Sequence, residues 1–133
     1  MKLVTTLLLI SAVLLCGCIE EESQNQSVFT EADNGRTMSF ENGTVFQLNL
    51  SENPTTGYSW ELELGAGLTL LNDNFSEEQV PEGEKPLLGA GGFHTWEIEA
   101  DSRGNTQIKG IYKRPWENET GTEDNFTLNI EVI

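Results

Sequence analysis

Beyond Arg36 the chain alternates apolar and polar residues with period two, the spacing of a strand with one buried face. Over Thr44–Ser51, Phe46, Leu48 and Leu50 share one side, with Gln47 and Asn49 opposite. Over Tyr58–Leu64 the apolar side is Tyr58, Trp60, Leu62 and Leu64, against Ser59, Glu61 and Glu63. Trp96, Ile98 and Ala100 alternate with Thr95, Glu97 and Glu99, and Ile108, Gly110 and Tyr112 with Gln107, Lys109 and Ile111. Near the C-terminus Phe126, Leu128, Ile130 and Val132 alternate with Thr127, Asn129 and Glu131. Five strands with one apolar face each call for a partner sheet, and Gly, Pro and Asn turns divide them. The pattern predicts an all-β chain, an antiparallel β-sandwich of about seven strands. No window has a convincing helical period, and Asn74–Glu84 is acidic and broken by Pro81 and Gly83.

The first residues follow a different rule. Lys2 precedes an uncharged apolar run, Leu3–Leu15, too short for a comfortable membrane span. The run ends Leu15-Cys16-Gly17-Cys18, which looks like a lipobox with Cys18 as the residue to be lipidated. Residues 1–17 therefore read as a lipoprotein-type signal peptide, and the chain as exported: lipid-anchored to the outer face of the cell membrane, or secreted. An ordinary cleaved signal with incidental cysteines is the competing reading. One acyl chain holds weakly, so stable attachment calls for a second. Residues 18–35 are acidic and polar with little periodicity and read as a tether, leaving 36–133 as the domain.

Charge and composition then narrow the function. The 133 residues carry 22 acidic and 7 basic side chains, a formal charge of −15, which excludes nucleic acid as a partner. His94 is the only histidine and Cys16 and Cys18 the only cysteines, so neither a disulfide framework nor a Cys/His metal site forms beyond residue 18. No cofactor and no catalysis are expected, and His94 reads as a solvated strand residue. The acid–amide clusters Asn72–Glu78 and Glu117–Asn125 lack calcium-loop spacing and read as solvated loops. Sequons at Asn25, Asn42, Asn49, Asn74, Asn118 and Asn125 are candidate glycosylation sites in an exported chain.

Three connections have a composition that simple turns do not need. In Asn53-Pro54-Thr55-Thr56-Gly57, Pro54 fixes its φ and Gly57 is free to take positive φ on the way back to the strand. Gly89-Ala90-Gly91-Gly92 leaves backbone amides unshielded, which suits close approach by another backbone. Arg114-Pro115-Trp116 ends a strand and places a large aromatic on a loop. Singly, each also fits a plain structural role: a tight turn, a hinge, and a tryptophan folded back on the core.

Together and in this order, the three loops resemble those of the chagasin-type cysteine protease inhibitors, whose motifs NPTTG, GxGG and RPW stand intact here. Tyr58, Trp60, Trp96 and Tyr112 flank them as in that family, and the resemblance covers roughly residues 36–133. It implies an immunoglobulin-like sandwich with the loops side by side at one end, acting as a monomer. It also implies reversible, competitive, non-covalent inhibition of papain-like cysteine proteases by plugging the active-site cleft. Asn53–Gly57 and Tyr58 would enter the centre with Thr55 close to the catalytic cysteine. Gly89–Gly92 would pair main chain with one wall, and Arg114, Pro115 and Trp116 would meet the other. Two further classes fit the chain less closely: a lipid-anchored adhesion or envelope module, and a glycan binder with a flat aromatic face.

Overall fold

Alternation becomes two facing sheets. The computed structural model describes residues 26–78, 81–84 and 91–133. Residues 1–18 with their signal and lipid-attachment features, Asn25, Gly89 and Ala90 lie outside these. The strands are β1 (Val28–Phe29), β2 (Thr37–Phe40), β3 (Thr44–Glu52), β4 (Ser59–Leu64), β5 (Leu68–Glu77), β6 (Gly92–Ala100), β7 (Gly104–Lys113) and β8 (Asp124–Val132). One sheet has the order β1-β3-β6-β5 and the other β2-β8-β7-β4. Single-turn 3₁₀ helices at Glu31–Asp33 and Pro54–Thr56 complete the described elements.

The five strands read from the alternation are β3, β4, β6, β7 and β8, and their apolar faces meet as expected. Phe46, Leu48 and Leu50 of β3, Ile98 and Ala100 of β6, Ile108 of β7 and Leu128 of β8 are fully buried between the sheets. Trp60, Leu62 and Leu64 of β4 pack against that core from its rim.

Eight strands stand where about seven were expected, and two edge pairings are parallel, β1 with β3 and β2 with β8. Both arise from the N-terminal segment, which corrects the tether boundary. Phe29 is buried, with its ring edge-on to Phe40 at 5.7 Å and to Phe46 at 5.8 Å. Burying one such ring contributes about 1.5–3 kcal/mol, enough to dock a short segment. Between β1 and β2 the chain changes sheets through the 3₁₀ turn. Thr30 and Asp33 cap that turn reciprocally, and the Glu31 carboxylate accepts from the Ser51 amide. The domain therefore includes residues 28–35.

Leu68–Glu77, expected in part as solvated loop, is the edge strand β5, paired with β6 across an irregularity between Leu70 and Asn72. The 3₁₀ turn at Pro54–Thr56 leaves Tyr58 in the loop, one residue before β4.

The connections are unequal at the two ends of the sandwich. Runs 41–43, 65–67 and 101–103 turn tightly at one end, and runs 53–58 and 114–123 lie at the other, where β5 ends at Glu77 and β6 begins at Gly92. The chain reaches β1 from the tight-turn end, where Ser27 accepts from the Gln47 amide, and Ile133 finishes there, its amide bonded to Phe40 O. The first and third motif loops share the opposite end with Gly91 and Gly92.

Candidate functional site

The first loop is built by its own residues. Asn53 caps the 3₁₀ turn: its Oδ1 accepts from the Thr55 amide at 3.2 Å and from Thr55 Oγ1 at 2.6 Å. Thr56 Oγ1 donates to Asn53 O at 2.8 Å, and Gly57 closes the turn at φ +82°, a value glycine adopts at little cost. Both threonines are exposed at the tip with their hydroxyls tied down. The stem is anchored to the second sheet, since Tyr112 Oη of β7 accepts from the Asn53 amide at 2.9 Å.

The third loop is bound to the first. Arg114 Nε donates to Thr56 O at 3.0 Å, and its guanidinium lies 4.7 Å from the centre of the Tyr58 ring. Tyr58 in turn packs on Tyr112 at 5.4 Å. Trp116 is 71% exposed, yet its indole rests on Gly57 so closely that a methyl group there would collide with the ring. The tryptophan has not folded back on the core; it stands at the surface, held from one side.

The second loop meets the first through glycine. Gly92 pairs with Glu52 on one side and Glu77 on the other, and a Cβ on it would strike Ser76 O and the Glu77 backbone. A Cβ on Gly91 would press on Glu52 O at 2.9 Å. On the side where a Cβ would stand, the backbone that these two glycines admit is the chain's own.

His94 is also corrected. Its side chain is only 16% exposed, stacked on Trp96 at 3.9 Å, with Nδ1 2.6 Å from Glu52 Oε2 and Nε2 bonded to Asp73 Oδ1. Its partners stand 42 and 21 residues away in sequence, so no local pattern could have found the cluster. Glu52, Asp73 and His94 are the residues that sequence reasoning missed.

Of the acid–amide run at Glu117–Asn125, residues through Glu123 form the loop after Trp116. Glu123 organises it by accepting from the Thr120 amide at 2.5 Å and the Gly121 amide at 2.8 Å. The Thr120 amide foremost lowers the Glu123 carboxyl to about 2. Among the described residues no group of three or more His, Cys, Asp or Glu side chains is arranged to hold a metal ion. Of the three tryptophans only Trp116 is exposed; Trp96 is buried and Trp60 half-buried, so they form no flat aromatic face. Of the described sequons, Asn42, Asn74, Asn118 and Asn125 are exposed, while Asn49 is half-buried and accepts from Thr95 Oγ1.

Comparison with known proteins follows this geometry. Residues 39–130 match the family model described as Chagasin family peptidase inhibitor I42. The chain is 31% identical over 105 residues to Chagasin of Trypanosoma cruzi, covering 77% of this chain and 94% of that one. It is 30% identical over 103 residues to Amoebiasin-1 of Entamoeba histolytica, covering 77% and 96%. Among solved structures it superimposes on the cysteine protease inhibitor EhICP2 from Entamoeba histolytica with a TM-score of 0.69 at 26% identity, covering 80% of this chain and 95% of that one.

Proposed function

The chain belongs to the chagasin family of peptidase inhibitors and is an inhibitor of cysteine proteases; from that premise we propose that it blocks papain-family enzymes by seating three adjoining loops in the active-site cleft. The observation that carries this reading is the joint build of the first and third loops. Trp116 is exposed and rigidly backed by Gly57, and Arg114 is bonded to Thr56 O. Exposed Trp and Arg anchors commonly dominate interface energy, and loops that are already ordered lose less entropy on docking.

Thr55 tops a 3₁₀ turn and not an extended segment, so its peptide bonds are poorly presented for cleavage. It also has no electrophile for a thiolate. The chain acts as a plug: binding is reversible, competitive and non-covalent, one copy to one protease. Gly89–Gly92 lies along one wall of the cleft, and Arg114, Pro115 and Trp116 along the other.

Location is proposed on the sequence alone. The run Leu3–Leu15 and the box Leu15–Cys18 support export and lipid attachment at Cys18. A glycan on the exposed Asn118, two residues after Trp116, would crowd the third loop. Incubation of the purified chain with a panel of papain-family proteases tests the function. Competitive inhibition, lost on dilution, with the chain recovered uncut is expected; no inhibition across the panel, or a cleaved chain, refutes it. Cys18→Ser should release the protein from membranes or leave the precursor uncut, and unchanged fractionation and processing would refute the anchor.

A further inference from the structure

The first loop spans a gap that ladder hydrogen bonds do not bridge. It leaves β3 in one sheet and returns on β4 in the other, and both strands diverge from its stem. Across that gap stands Glu52, the last residue of β3 and the one buried charged residue among those described. Its Oε1 accepts from the Trp60 amide of β4 at 2.9 Å, and its Oε2 lies 2.6 Å from His94 Nδ1 of β6. His94 is steered from its other nitrogen by Asp73 of β5 and from its face by Trp96. A second tie runs in parallel, Trp60 Nε1 donating to Ser51 O at 2.9 Å. A buried carboxylate is tolerable only when its oxygens are bonded, and here one is bonded to β4 of the facing sheet and the other to β6 of its own.

We infer that Glu52, oriented by His94 and Asp73, is a positioning residue for inhibition: it pins the stem of the Asn53–Gly57 loop across the two sheets so that the loop docks preformed. The cluster also links that loop to the start of β6, where the glycine loop ends, so one carboxylate sets the spacing of both. This role rests on the cleft-plug reading of the loops.

The test uses the full-length chain and two variants. Glu52→Gln keeps an oxygen for the Trp60 amide, and its amide group can donate to His94 Nδ1; Glu52→Ala removes both bonds. Loss of a hydrogen bond to a charged group predicts at least a tenfold rise in inhibition constant for Glu52→Ala, roughly, and about threefold or less for Glu52→Gln. Hydrogen exchange at the Trp60 amide should accelerate in Glu52→Ala by about tenfold or more relative to the Leu48 amide in the core. Inhibition constants for Glu52→Ala within threefold of the unaltered chain, or a loss that Glu52→Gln shares in full, would overturn the inference. So would a Trp60 amide that exchanges in the unaltered chain as fast as a free amide, a measurement that needs no variant to fold. If the unaltered chain inhibits no papain-family protease, the functional reading falls, and Trp60 exchange still decides whether Glu52 pins the stem.

Discussion

Replacing Gly57 with alanine attacks the joint between two loops and separates binding from folding. Gly57 holds φ +82°, where an L-residue costs about 1–2 kcal/mol. For a domain of this size that lowers the melting temperature by about 5–15 °C. The added methyl also collides with the Trp116 indole, and the ring, being 71% exposed, is displaced into solvent. If the seated indole is an interface anchor, inhibition weakens by about 1–3 kcal/mol. Trp116→Ala alone should lose a similar amount with little change in melting temperature. The double variant then loses no more binding than Trp116→Ala, because there is no ring left to displace. Inhibition constants for the four proteins give a coupling energy of about 1–3 kcal/mol. Gly57→Asn sharpens the result: Asn tolerates positive φ, so stability partly returns, but its Cβ still unseats the ring. Additive losses within about 0.5 kcal/mol would refute the coupling, as would an unaltered inhibition constant for Gly57→Ala.

Three further outcomes are expected. Thr55→Asp places a charge in a packed cleft and should weaken inhibition by about 3 kcal/mol or more, while Thr55→Ala, losing only its bond to Asn53 Oδ1, should cost about 1 kcal/mol; equal inhibition constants would show that the loop is no wedge. Thr106 Oγ1 is buried without a hydrogen-bond partner, so Thr106→Val should leave the melting temperature unchanged or raise it, and a clear fall in thermal unfolding would contradict this. Glu123, lowered from 4.5 to about 2 by the Thr120 and Gly121 amides, supports its loop fully above pH 4.5 and loses that support as pH falls towards 2. Amide exchange at Thr120 and Gly121 should therefore rise only in that acid window, and a rise centred near neutral pH would assign the ordering to another group.

The sequence made the central strands and the three loops legible because each carries its rule locally. Phe46, Leu48 and Leu50 need only one buried face to declare a strand, and Pro54 with Gly57 declares a turn. β5 was not legible: an edge strand exposed for most of its length needs no apolar alternation, and the irregularity after Leu70 shifts what alternation there is. β1 was hidden for the opposite reason, since it is two residues long and only Phe29 is buried, beside an exposed Val28. At the site the motifs marked the residues proposed to meet a partner. They did not show what holds them, because the seat of Trp116 on Gly57 and the Glu52–His94–Asp73 cluster join residues far apart in the chain.

Both described chain ends, Gln26 and Ile133, sit at the tight-turn pole, a full strand length from the first and third motif loops. A linkage made at either end thus leads away from the face proposed to dock. If the molecule is attached to a vesicle or a bead through either of these ends, its blunt pole faces the support, and Thr55 and Trp116 face out into the medium. An arriving protease meets the loops before it meets the supporting surface. Fusions of cargo to either end should leave the inhibition constant where it was, which makes the domain a cap that can be mounted without being re-aimed.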